Sequence, residues 1–344
     1  VRVLHISSGD KFIFPFIELI EDNFKFDEHH FLISEGIASK DALKASNVFV
    51  SDSSTYLKIK RLVLTLIKIH RAERVIIHGL FDLKLIYILF LCPWVLSKCY
   101  WFIWGGDLYT FQSKKVGFFW KIKERIKKSV IKRIGHLVTY VPGDIEIARA
   151  QYQAQGSYHE CLMYLSNLYR SYELPKRSDE SINIQVGNSA DPSNNHLEVL
   201  ELLRPFSDSN IKVYVPLSYG NRRHAEEVIS VGQEWFGDKF KPITELMPFD
   251  EYLSFLGKID IAFFNHNRQQ AMGNIITLLG LGKTVYLRSG TSHWDFFQSQ
   301  SLDVKAISEF DSLEKETLTE NEEKVKKYFS MDNYLNQLSR IFND

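Results

Sequence analysis

A chain of 344 residues is too long for one ordinary domain and suits two of roughly 150–180 residues each; with 45% apolar and 14% aromatic residues it buries real cores, which excludes a disordered chain. Formal net charge is zero, but residues 1–170 carry 24 Lys and Arg against 16 Asp and Glu, and the remainder 18 against 26. A cationic first half thus faces something anionic and an acidic second half forms a separate body, while Cys92, Cys99 and Cys161, with no CxxC among them, exclude a disulfide framework and read as reduced core residues of a cytosolic protein.

The opening "VRVLHIS" (1–7) reads as a strand rather than a secretory leader. "HHFLIS" (29–34), "RVIIHG" (74–79), "YWFIWG" (100–105) and "HLVTYV" (136–141) follow. These short runs, rich in β-branched and aromatic residues and mostly separated by helical patterns, predict a doubly wound α/β sheet. The most apolar stretch, "LIYILFLCPWVL" (85–96), is twelve residues broken by Pro93. A bilayer needs about 20, so a buried helix leading into a strand is predicted. "KKVGFFWKIKERIKKSVIKR" (114–133) holds nine Lys or Arg and one Glu, with an apolar stripe at helical spacing. Two readings fit it: an amphipathic helix lying on an anionic membrane surface, with Lys121, Lys127 and Lys128 on its charged side, or a helix packed on its own sheet. Nucleic acid is not expected as a partner, because no nucleic-acid module accompanies the patch.

After the polar stretch "ELPKRSDES" (173–181) the alternation restarts with "INIQVGNS" (182–189), "IKVYVPLS" (211–218), "DIAFFNH" (260–266) and "TVYLRS" (284–289). The expected organisation is a Rossmann-like domain over 1–172, a second over 182–311, and helices over 312–344 packing back on them.

Ligands of open α/β sheets bind at the carboxyl ends of the strands. In the second half, Gly187, Asn188 and Ser189 lead to a helix start at Ser193, Asn194, Asn195 and His196. That pattern fits either a phosphate site or an ordinary helix cap. "NHNRQQAMGN" (265–274) adds Arg268, a planar fork for a diphosphate, and Gly273, which permits close backbone approach. Gln269, Gln270 and Asn274 supply amides for sugar hydroxyls or phosphate. In the first half, Asp10 and Asp107 each follow a glycine at a strand end and suit either a general base or a helix cap. His78 suits either a ligand contact or a satisfied core position. There is no GxGxxG after the first strand, no GxxxxGK[ST], no Asp-X-Asp and no HExxH. No metal and no cofactor is therefore expected.

Together, His5 with Asp10, His78-Gly79 with Phe81, "WGGDLY" (104–109), "VGNSADPSNNH" (186–196), Arg268-Gln269-Gln270 with Gly273, and Asn333-Tyr334-Leu335 run in order through nearly the whole chain. In these the sequence resembles the 4-acetamido-4,6-dideoxy-D-galactose (Fuc4NAc) transferases of enterobacterial common antigen synthesis, glycosyltransferase family 56. The resemblance implies a GT-B fold, two Rossmann-like domains facing a central cleft, with Tyr219 and "LMPFDEYL" (246–253) as candidates for the base pocket. It implies transfer of a deoxy-amino sugar from a dTDP-sugar to a polyprenyl-diphosphate-linked glycan at the cytoplasmic face of the bacterial inner membrane. Two other classes stay open: a nucleotide-sugar epimerase or hydrolase on the same fold, and a non-catalytic glycolipid-binding protein.

Overall fold

The computed structural model describes residues 2–9, 12–36, 45–51, 54–112, 117–171, 180–314 and 319–343. It divides into one unit of Val1–Ser166 with Met331–Asp344 and a second of Asn167–Ser330.

In the first unit the chain runs β1 (Val3–Gly9), α1 (Ile13–Asn23), β2 (His29–Gly36), β3 (Val48–Val50), α2 (Thr55–Arg71), β4 (Arg74–His78), α3 (Leu83–Leu91), β5 (Cys99–Phe102), α4 (Phe118–Arg133), β6 (His136–Val138), α5 (Pro142–Tyr152) and β7 (Ser157–His159). The strands pair in parallel in the order β3-β2-β1-β4-β5-β6-β7. Strand order reverses at β1, the topology that leaves a crevice beyond the ends of β1 and β4. Being covered on both faces, the central strands are near-continuous apolar runs. Helix starts are conventional: Ser54 Oγ accepts from Leu57 N at the head of α2, and Asp82 Oδ1 from Lys84 N at the head of α3.

Two sequence expectations change here. The 85–96 stretch is buried on one side only. Leu85, Ile86 and Leu89 join the core, Pro93 diverts the chain into a 3₁₀ turn, and Tyr87, Phe90, Leu91 and Trp94 face solvent. In α4, the apolar positions Ile126, Val130 and Ile131 pack on the sheet, while Phe118 and Phe119 at its start are 74% and 85% exposed. Lys127 does not belong to the charged surface at all. It is buried, its Nζ donating to the carbonyl of Asp107 and to Thr110 Oγ1, and burial lowers its pKa. Residues 114–116 lie outside the described residues.

The second unit runs β8 (Ile182–Val186), α6 (His196–Leu203), β9 (Ile211–Pro216), α7 (Arg222–Phe236), β10 (Phe240–Ile243), α8 (Phe249–Lys258), β11 (Ile261–Phe264), α9 (Met272–Gly280), β12 (Thr284–Leu287), α10 (Ser292–Ser299), β13 (Lys305–Ala306) and α11 (Thr319–Tyr328). Its parallel sheet is ordered β10-β9-β8-β11-β12-β13, reversing at β8. The last helix, α12 (Met331–Asn343), packs in the first unit. The buried Tyr334 hydroxyl donates to the carbonyl of Met163, and Gln337 Oε1 accepts from Leu162 N at 2.8 Å.

Candidate active site

The second unit's reversal point lies between β8 and β11, and the loops leaving these two strands are bolted together. Ser193 Oγ donates to Gln270 Oε1 at 2.9 Å, and Asn195 Nδ2 donates to the Asn265 carbonyl at 2.7 Å. His266 Nε2 lies 2.8 Å from Asn194 Oδ1 and 3.2 Å from Asn188 Oδ1. Both partners are acceptors, so Nε2 carries the proton and Nδ1 is left as an acceptor. Gly187 adopts φ +67°, and a Cβ there would stand 2.6 Å from Asn194 Oδ1 and 2.7 Å from His196 Nε2. Only glycine fits. The loop after β9 closes on the same site: Ala190 N donates to the Tyr219 carbonyl at 2.7 Å, and Asn188 Nδ2 to Tyr219 Oη at 3.2 Å.

Against this frame stands the start of α9. Ala271, its N-cap, is held at φ +57°, a left-handed conformation costly for a residue with a Cβ, and no side chain caps the helix. The first-turn N–H groups, those of Gly273 and Asn274 among them, thus make a helix end of the kind that suits an anion. Arg268 sits half-buried in the same loop, donating to the Gln269 carbonyl at 3.3 Å. Its charge is felt at Asp191, where burial pushes the carboxyl pKa up but hydrogen bonds from Ser193 and the Arg268 charge bring it below its ordinary value. Asn274 interacts with the hydroxyl of Tyr252 on α8.

Several buried polar atoms here have no partner among the described residues: Gln269 Oε1, His266 Nδ1, His196 Nε2 and both ring nitrogens of His293. Buried polar groups are normally paired, so their gathering sets this place apart. The imidazoles are neutral. Burial, then the neighbouring His293 and Arg268, holds His266 well below the ordinary range; burial lowers His196 to about 3 and His293 to about 4. The arrangement therefore offers N–H groups and a guanidinium for phosphate oxygens, and imidazole acceptors for hydroxyl or N–H donors.

Of the sequence candidates, Arg268, Gln269, Gln270, Gly273 and Asn274 form the rim. Asn188 and Tyr219 close one side, and the buried Ser189, Asn194 and His196 hold the first loop in shape. His266 and His293 were not chosen from the sequence. A signal existed, since His266 lies in the loop leaving β11 and His293 at the head of α10, which follows β12.

The first unit's candidates divide differently. Asp10 lies outside the described residues. Asp107 is fully buried, and its carboxylate accepts four hydrogen bonds: Oδ2 from Trp101 Nε1 at 2.6 Å and Leu80 N at 2.8 Å, Oδ1 from Trp104 N and Leu108 N, each at 3.0 Å. Those bonds shape the loop after β5 around the carboxylate. His78 is buried with both nitrogens engaged: Nε2 lies 3.1 Å from His5 Nδ1, and Nδ1 lies 2.7 Å from Tyr164 Oη. His5 Nε2 continues to His29 Nδ1 at 2.9 Å, and Trp104 Nε1 donates to Tyr164 Oη at 2.7 Å. This is a core chain of neutral imidazoles, with burial lowering His78 to about 3 and His29 to about 4. Above it, Phe81 and Trp104 meet edge-on, ring centroids 5.9 Å apart, with Phe81 exposed.

Among the described residues, no group of three or more His, Cys, Asp or Glu side chains is placed to hold a metal ion. No described helix is long and apolar enough to cross a membrane.

Among solved structures, Anabaena HepE in complex with UDP is 9% identical over 99% of this chain and 99% of that one, with a TM-score of 0.66. A glycosyltransferase from Rickettsia africae is 9% identical over 99% and 98%, TM-score 0.63. WaaG, a glycosyltransferase involved in lipopolysaccharide biosynthesis, is 13% identical over 99% and 94%, TM-score 0.57. Likeness at such identity shows the fold alone, which is GT-B. Residues 13–336 match the family described as 4-alpha-L-fucosyltransferase, glycosyl transferase group 56. With that match spanning most of its length, the chain belongs to glycosyl transferase group 56 and is a glycosyltransferase.

Proposed function

We propose that the second unit holds a nucleotide-diphosphate sugar, its diphosphate on Arg268 and the head of α9. The carrying observation is the uncapped helix end beside Arg268, set among buried acceptors with no partner. In the transfer step an acceptor hydroxyl attacks the anomeric carbon and the bond from that carbon to the diphosphate oxygen breaks. The negative charge growing on the leaving diphosphate meets a guanidinium and helix N–H groups already in place. The proton of the attacking hydroxyl passes to a carboxylate if configuration inverts. Asp10, at the end of β1 in sequence, is our choice for that base. Asp107, with its lone pairs already committed, positions the loop. The Phe81–Trp104 pair offers an aromatic face on which an acceptor sugar stacks. No divalent metal is needed in this scheme, because fixed protein charge and dipoles meet the diphosphate.

The family resemblance narrows the reaction further. We take the donor to be a dTDP-linked deoxy-amino sugar of the Fuc4NAc type and the acceptor a polyprenyl-diphosphate-linked glycan in bacterial surface polysaccharide synthesis. The protein would then work peripherally at the cytoplasmic face of the inner membrane. A thermal-shift panel of dTDP-, UDP- and GDP-sugars tests the donor: a ligand at 100 times its Kd adds about 2.7 kcal/mol of stability. Donor consumption measured with and without lipid-linked acceptor tests the reaction. A panel without any stabilising nucleotide sugar overturns the reading, and donor consumption indifferent to acceptor replaces it with a hydrolase or epimerase.

A further inference from the structure

Helix α2 is apolar on two opposite sides, and only one of them is covered. Thr65, Ile69 and Ala72 at its inner side are buried in the first unit. At 3.6 residues per turn, Tyr56, Ile59, Val63 and Ile67 fall within about 80° of one another on the outer side. All four are exposed, Tyr56 by 71%. A surface helix ordinarily carries one apolar stripe, turned to the core; this one carries a second that faces outward. The uncovered face extends to its neighbour. Arg61 pairs with Asp82 at the head of α3 at 2.6 Å, and Trp94 Nε1 donates to His70 Nε2 at 3.1 Å. Leu91 and Trp94, 71% and 66% exposed, continue the apolar surface there.

The charge around this face is mostly positive, the acidic residues at its ends being Asp82, paired with Arg61, and the exposed Glu73. Residues 54–72 contain five Lys or Arg and no Asp or Glu, and residues 83–106 contain no Asp or Glu either. Lys58, Lys60 and Arg71 are exposed. We infer that α2, with the end of α3 and Trp94, seats the first unit on an anionic phospholipid surface, the helix lying in the plane of the interface. An exposed apolar stripe flanked by cations suits the boundary between headgroups and acyl chains. Pairing with a second copy about a twofold axis would set like charges against each other. The basic helix α4 adds a charged margin, since its own apolar stripe is used by the sheet. The purpose of this seat rests on the lipid-linked acceptor proposed above; the surface itself does not.

The test is co-sedimentation of the full chain with phosphatidylglycerol-rich and with phosphatidylcholine vesicles. Expected are binding to the anionic vesicles that weakens with added salt and little binding to the neutral ones. The triple variant Ile59→Ser, Val63→Ser, Ile67→Ser should partition at least about tenfold less, with Tm unchanged because its side chains face solvent. Lys60→Glu with Arg71→Glu should weaken anionic binding alone. Unchanged partitioning of the triple variant overturns the inference. So does a wild-type dimer that the triple variant dissociates, which would assign the face to a second copy. Soluble nucleotide sugars applied to the same proteins in thermal shift keep the two readings apart. Vesicle binding without donor binding fails the proposed reaction and spares this surface; the converse fails the surface alone.

Discussion

Replacing Asp107 by Asn separates an architectural carboxylate from a reacting one. The substitution keeps the shape but turns one acceptor oxygen into an NH₂ group. Oδ1 and Oδ2 each accept two hydrogen bonds, so whichever oxygen is lost leaves two buried donors facing a third. Hydrogen bonds to a charged group are worth roughly 1.5–3 kcal/mol each, giving a loss of about 3–6 kcal/mol. The change also removes the negative charge that supports the buried Lys127 ammonium. For a unit of this size 1 kcal/mol moves Tm by roughly 2–4 °C, so a fall of roughly 6–24 °C is expected. Calorimetry on the purified variant reads it directly, with turnover measured well below the transition. If Asp107→Asn instead melts with the wild type while turnover drops about 10²–10⁴-fold, the carboxylate is a base and the architectural account is wrong.

Asp10→Asn should cost about 10²–10⁴ in turnover while leaving donor affinity intact; a variant within a few-fold of wild type removes Asp10 from the chemistry. Transfer should proceed at its full rate in excess EDTA, and activity lost there and restored only by Mg²⁺ or Mn²⁺ would contradict a metal-free mechanism. The buried histidines of the first unit make it acid-sensitive. His5, His29 and His78 have folded pKa values below the ordinary 6.5, His29 at about 4 and His78 at about 3, so below pH 6.5 the unfolded chain binds more protons than the folded one. Stability should be full above about pH 6.5 and fall as pH drops toward 4 and then 3; melts monitored by circular dichroism that hold one Tm from pH 7 to pH 4 would refute this.

The central strands were legible because parallel strands covered on both faces must be apolar throughout, and "RVIIH", "YWF" and "IAFF" carry no other message. The four strands that pattern reading passed over, β3, β7, β10 and β13, are the four sheet edges. "SYH" and "KA" are short and half-polar, and "FKPI" contains a proline that only an edge tolerates. Edge pairing is set by neighbours remote in sequence, so local pattern does not report it. The loop proposed for the donor stood out for a different reason: six consecutive polar residues, Asn265 to Gln270, follow a buried strand. His266 stayed hidden inside that run because its role depends on Asn194, 72 residues away. Lys127 misled because helical spacing alone does not show that Asp107 and Thr110 wait beneath it. The apolar outer side of α2 was equally hidden, since composition does not show which of two apolar sides a sheet will cover.

Isothermal titration of a dTDP-sugar into wild type and Arg268→Ala measures where the donor diphosphate binds. One site per chain is predicted in the wild type, with Kd weakened about 10- to 150-fold in the variant, the equivalent of a lost charged hydrogen bond of roughly 1.5–3 kcal/mol. Equal affinity in a folded Arg268→Ala protein would contradict the assignment of residues 265–274 to the donor.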